Sequence, residues 1–178
     1  RIFDYIKDVS DEEMQNLWIQ ILAGEIKQPG SFSLRTIHLL NTLSKSEAEL
    51  IKKIANYCIR SISFHDKEPF INKAFLFLED NQKWFTSSDI SLHDILLLSE
   101  LNIIDKSDVL SFSLPQYEDN LMHHLICGQY GIRVLKLANT PIVDLKAHYV
   151  SSMGLELFRL ANPDFNVDYL SKFVNKIE

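Results

Sequence analysis

SDEEMQNLWIQILAGEIKQPGSFSLRTIHLLNTLSKSEAEL, residues Ser10–Leu50, decides how the chain is read: it carries three helices with their start and stop signals and nothing that looks like a reactive centre. Ser10 stands three residues before Glu13, the reciprocal pair that satisfies two orphan amides at a helix start. Asp11, Glu12 and Glu13 fall in the first turn, where the helix dipole favours negative charge. Met14, Leu17, Trp18, Ile21 and Leu22 then recur at the spacing of one buried helical face, and Pro29-Gly30 ends the helix. Ser33 can cap a shorter helix with Leu34, Ile37 and Leu40 on its inner side. A second capping pair, Ser44 with Glu47, opens a longer helix with Ala48, Ile51, Ile54, Ala55 and Cys58 facing inward.

Upstream, Ile2, Phe3 and Ile6 make a short helical stripe. Downstream of about residue 59 the texture changes. IRSISF and FINKAFLFL, with Pro69 between them, alternate apolar positions and read as short strands or extended segments. SLHDILLLSELNIID reads as one helix capped by Ser91, with Leu92, Ile95, Leu96 and Ser99 on one face, a left-handed stop at Asn102, and Ile103-Ile104 returning to the core. LMHHLIC and IRVLKL flank Gly128–Gly131, and KAHYVS follows the Asn139–Pro141 turn, which the most economical reading makes a three-stranded meander. Ser151 caps a helix through MGLELFRLA that ends before Pro163. Asn166 caps a last helix with Val167, Leu170, Phe173, Val174 and Ile177 on one side.

A chain of 178 residues with 46% hydrophobic and 11% aromatic content can bury a core without staples. Its net charge of -6 repels nucleic acid unless a local basic patch intervenes. Cys58 and Cys127 alone do not make a disulfide framework, so a reducing cytoplasm is the expected compartment. No apolar run reaches the roughly 18 residues of a membrane span. The start at Arg1 rather than Met suggests a fragment of a longer protein.

Candidate chemistry finds no foothold. Glu12, Glu13 and Glu25 could be paired carboxylates, but helix-end electrostatics account for the first two and solvation for the third. His123, His124 and Cys127 could suggest a metal corner, yet adjacent residues of a strand point to opposite faces. Cys58 falls on an apolar stripe and reads as a buried structural thiol. Five glycines form neither a phosphate loop nor a dinucleotide fingerprint. No catalytic, cofactor-binding or metal-ligating residue is therefore assigned. Arg35 is the one candidate anion contact, beside the free amides of the PGSFSLRT loop; the competing reading makes Ser31 and Ser33 caps and pairs Arg35 with Glu25 or another carboxylate.

The helix ending in LLLSELNII, the ribbon after it and the helix opened by VSSMGLEL resemble a winged-helix arrangement. The last piece is similar to the Leu-Thr-x-x-Gly-x-Glu-Leu block that follows the wing in many bacterial winged-helix proteins, with Val150 and Ser151 at the Leu-Thr positions and Gly154, Glu156 and Leu157 matching. Gly154 supplies a small residue where the helix crosses a strand. Trp18–Glu25, Pro29–Thr36 and Glu47-Ala48 resemble the signature of a bacterial family, domain of unknown function number twenty-eight-oh-six, and the resemblance spans most of the chain. In that family this region is C-terminal to a further helical segment. No established activity comes with it, and its style suggests phage defence or another accessory-gene system.

The expected architecture is α+β and mostly helical: a helical subdomain over residues 1–60 packed on a winged-helix-like subdomain over residues 61–178, together one compact unit. The expected role is a non-catalytic interaction or regulatory module with a protein partner or a second copy. The alternative is nucleic-acid binding through the wing and last helix, with Arg133, Lys136, Lys146, Lys172 and Lys176 as contacts. The candidate recognition helix, Leu92–Asn102, disfavours it, offering Asp94 and Glu100 and neither Lys nor Arg.

Overall fold

Each helix whose cap is described begins where a side-chain oxygen meets a backbone amide. The computed structural model describes residues 16, 19, 21, 23–24, 26–65, 68–77, 90–105, 110–113, 122–127, 130–135, 144–161, 163 and 166–177. Helix α1 (Leu34–Thr42) starts at Ser33, whose hydroxyl accepts from the Thr36 amide at 3.2 Å. Helix α2 (Lys45–Ala55) starts at Ser44 with the reciprocal pair complete: the Glu47 amide donates to the Ser44 hydroxyl, and the Ser44 amide donates to the Glu47 carboxylate at 2.7 Å. Helix α3 (Leu92–Glu100) repeats the device with Ser91 and Asp94. Helix α4 (Ser152–Leu160) starts at Ser151, and α5 (Val167–Ile177) is capped by Asn166, whose Oδ1 accepts from the Tyr169 amide at 3.0 Å. The first helix and its Ser10–Glu13 pair fall largely outside the described residues; Ile21 is described, helical and fully buried.

Strands β1 (Ile59–His65), β2 (Glu68–Phe77), β3 (Leu110–Ser113), β4 (Met122–Cys127), β5 (Tyr130–Leu135) and β6 (Asp144–Tyr149) form one antiparallel sheet in the order β3-β6-β2-β1-β4-β5. The stretch after residue 59, read as strands or irregular segments, is thus the central hairpin. The expected meander of β4, β5 and β6 is corrected. β4 and β5 do pair, from Cys127↔Tyr130 to Met122↔Leu135, but β6 crosses to the far side and lies between β2 and β3. Period-2 alternation marks a strand without naming its neighbour. What fits β6 there is side-chain shape: Ala147 sits opposite Phe77, and the Tyr149 ring lies 4.9 Å from that of Phe75.

Both faces of the central hairpin are covered. On one, Phe75 and Phe77 are buried, and α5 packs there: the Phe173 ring lies 4.6 Å from Phe77, and the buried Tyr169 hydroxyl accepts from the Phe77 amide at 3.0 Å. On the other, Ala74 and Leu76 are equally buried. α1 and α2 both pack against α4, joining the helices to the end of β6. The α+β class read from the sequence holds.

Several faces are rotated from expectation. α1 buries Thr36, Ile37 and Leu40, whereas Leu34, in its first turn, is 84% exposed. α3 buries Ile95 and Leu98, leaving Leu92 69% and Leu96 55% exposed. α2 ends at Ala55, so Cys58 is buried just beyond the helix and not on its stripe. In α5 Phe173 is buried as expected, with Leu170 and Val174 half-buried against the core, but Tyr169 is buried as well and Val167 is exposed; the Ile177 side chain lies outside the described residues. Asn102 does take the left-handed conformation expected of it, at φ 56°, and Ile103 and Ile104 are buried.

Candidate functional site

Two distant signature stretches, PGSFSLRT and VSSMGLEL, meet in space. The Ser33 amide donates to Glu156 Oε2 at 2.7 Å, across 123 residues of sequence. That amide lies at the N-terminus of α1, where the free N–H groups and the dipole favour an anion. The chain supplies the anion itself, from α4. Ser33 then spends its hydroxyl on the Thr36 amide, and Thr36 is fully buried beneath it.

The neighbouring helix start is built in the same manner. The Ser151 hydroxyl donates to the Asn102 carbonyl at 2.6 Å and accepts from the Gly154 amide at 2.9 Å, tying α4 to the end of α3. The Ser151 amide donates to the Ile103 carbonyl. Gly154 has the close approach that its small size suggested: a Cβ there would collide with the Ile103 carbonyl oxygen and lie 2.8 Å from Val150 Cγ1. Gly24 and Phe32 form a similar contact, since a Cβ on Gly24 would stand 2.9 Å from the Phe32 ring. Gly30 turns the chain between them at φ 82°, open to glycine at no steric penalty.

Around this junction lies an open groove of about 1020 Å³, walled by α1, the end of α3 and the start of α4. Leu34, Leu39, Leu101 and Met153 make its apolar part. Arg35 and His38 stand on the α1 wall, with Glu100 and Glu156 facing from α3 and α4. Arg35, the candidate anion contact, is therefore exposed at the groove, in the first turn of α1 whose starting amide is already filled by Glu156. Glu25, the partner proposed for it, lies outside the described residues, as do Glu12 and Glu13.

The cations of the nucleic-acid reading are not brought together. Arg133 is on β5 at one edge of the sheet, and Lys146 is on β6, four strands away, roughly 19 Å at about 4.8 Å per strand. Both fall on the same face, but Leu76 and Ala74 between them are buried and give no path for a phosphate backbone. Lys172 is exposed on α5; Lys136 lies outside the described residues, and of Lys176 only the helical backbone is described.

Among the described residues no three His, Cys, Asp or Glu side chains gather at metal-binding distance. His123 and His124 are consecutive on β4, and of His123 only the strand backbone is described. The Cys127 thiol donates to the Cys58 carbonyl at 3.3 Å, and both thiols are free. Burial pushes the Cys58 thiol up to about 12 and also raises Cys127, so neither is a thiolate at neutral pH. No described helix is long and apolar enough to cross a membrane.

What sequence reasoning missed is the groove. The identities of Ser33, Gly154 and Glu156 were all noted, but the 2.7 Å bond joining α1 to α4 is a tertiary contact that no local spacing announces. Asp94 as the reciprocal partner of Ser91 was legible three residues on from the cap. No curated protein and no solved structure matches the chain. The family described as Protein of unknown function (DUF2806) matches residues 1–174, nearly the whole length and both stretches that meet at the groove, and the chain belongs to that family.

Proposed function

We propose that the chain is a non-catalytic interaction or regulatory module that docks a segment of a partner protein in the groove between α1, α3 and α4. The observation that carries this reading is how the polar groups there are used. The Ser33 amide, Glu156 carboxylate and Ser151 hydroxyl are all spent on the chain's own helix ends, while Leu34 is left 84% exposed at the rim. A reactive centre needs polar groups converging on vacant space; a docking site needs apolar anchors and a charged rim. The groove has the second composition. Arg35 and His38 on one wall and Glu100 on the other suit a segment with an apolar anchor flanked by charges of both signs.

α3, the β4–β5 ribbon and α4 are read here as a winged-helix-like arrangement used for protein contact, within one unit made of residues 1–60 and 61–178. Exposed Leu92 and Leu96 on α3 suit a protein surface better than a phosphate backbone. Two buried free thiols agree with a reducing cytoplasm.

A photo-crosslinking residue placed at Ser152, exposed in the groove, tests the reading in the cells of origin; the same residue at Lys172 on α5 is the control. A discrete protein product from position 152 and none from 172 supports partner docking. Equal products from both overturn it. A salt-sensitive shift of labelled duplex, lost in Lys172→Glu, would move the assignment to nucleic acid.

A further inference from the structure

The sheet ends on two edges of unequal length. β3 closes one side with four residues, Leu110–Ser113, and β5 closes the other with six, Tyr130–Leu135. Among the described residues no strand lies beyond β5. Tyr130 is 41% exposed, and Gly131 and Arg133 are exposed as well. Such an edge presents outward amides and carbonyls to any strand that can match them. Short edges, Lys and Pro protect against this; β5 reads YGIRVL, with a single charge and neither Lys nor Pro.

We propose that two copies of this chain pair through β5, antiparallel and edge to edge, with the two-fold axis at Ile132. Outward hydrogen-bonding groups alternate along a strand, so self-pairing must set residues of equal parity opposite one another, and the axis passes through a residue. An axis at Arg133 stacks two guanidinium groups directly across the ladder, which like-charge repulsion opposes. An axis at Gly131 leaves only positions 130–132 of the strand overlapping, around a centre without side chains. An axis at Ile132 overlaps positions 130–134, places Ile132 on its own copy, and sets each Arg133 opposite Gly131. Gly131 has the room: a Cβ there would meet nothing within 4 Å. The one charge of β5 thus finds the one glycine of that strand.

This edge shares no residue with the groove, so self-pairing and partner docking stand or fall separately, and a groove substitution such as Leu34→Glu leaves the dimer intact. Light scattering on the whole chain at tens of micromolar should give twice the monomer mass of 20.6 kDa. Under mild oxidation Ile132→Cys should form a covalent dimer, because residues paired on the axis have Cα atoms about 5 Å apart, within disulfide reach. Arg133→Cys should not, because its copy would lie about 8 Å away. The native thiols are buried and do not compete. Gly131→Arg, which points into open space in the monomer, should abolish the dimer with an unchanged circular dichroism spectrum. A monomeric wild-type chain overturns the proposal. So do equal crosslinking at 132 and 133, a dimer indifferent to Gly131→Arg, and a crosslink from 132 to a different protein, which would assign the edge to a foreign strand.

Discussion

Where α2 begins, four residues settle the matter: Ser44 and Glu47 exchange hydroxyl, amide and carboxylate, and no distant residue takes part. Where β2 meets β6, Phe75 needs Tyr149 and Phe77 needs Ala147, partners that the chain reaches only after α3 and three further strands. The helical ends are a set of local contracts, each worth a small and separable amount. The sheet is one non-local arrangement in which every strand depends on its neighbours. The contrast teaches that boundaries and stability reside in different places: caps say where elements start, and the buried hairpin says whether the fold exists.

The largest effect should come from the sheet. Phe75→Ala removes a fully buried ring that touches both Phe77 and Tyr149, and should lower the unfolding free energy by about 3–5 kcal/mol in denaturant titration. A loss near that of a cap would erase the contrast. Gly154→Ala should follow at about 1–3 kcal/mol, because the new methyl meets a backbone carbonyl, which cannot rotate away as a side chain would. Glu156→Ala comes next, at about 1.5–2 kcal/mol, since it strips a charged acceptor from the partly buried Ser33 amide. Glu156→Gln keeps the shape and an oxygen for that amide but not the charge, and should recover only part of the loss, whereas a purely steric role would be restored in full.

How much of this was legible follows from the same division. Ser33, Ser44, Ser91, Ser151 and Asn166 were all readable as caps, because each signal fits within three residues of the amide it serves. Asn102 and Gly154 were readable for a related reason, one backbone angle and one missing Cβ. The place of β6 was not, since Asp144–Tyr149 alternates in the same way whichever strand it joins. Leu34 misled because its spacing matches Ile37, yet it sits in the first turn and overhangs the groove instead of the core. The groove itself needed the meeting of α1 and α4, which only the tertiary fold supplies.

The smallest effects sharpen the local half of the comparison. Ser44→Ala and Ser91→Ala should each cost about 1 kcal/mol. They also carry a pH signature. Hydrogen bonds from the Ser44 hydroxyl and amide hold the Glu47 carboxyl below its usual range, and the Ser91 amide, chiefly, does so for Asp94. A carboxyl whose folded value is depressed contributes stability at neutral pH that is lost as pH falls below about 4.3 for Glu and 3.9 for Asp. In a Glu47→Gln, Asp94→Asn double variant, which keeps a side-chain oxygen for each amide but removes both titrations, the acid limb of the stability profile should flatten, and an unchanged limb would show that these caps do not titrate with folding.

The most direct measurement combines fold and docking in one preparation. Leu34→Glu is introduced into the chain carrying the photo-crosslinker at position 152, and thermal midpoint and crosslink yield are read together. The exposed position of Leu34 implies a midpoint within about 2 °C of the parent. If the groove's polar groups serve the helix ends and its apolar rim serves a partner, the crosslinked product disappears while the fold stands. A product of undiminished yield from an intact Leu34→Glu chain would contradict that account.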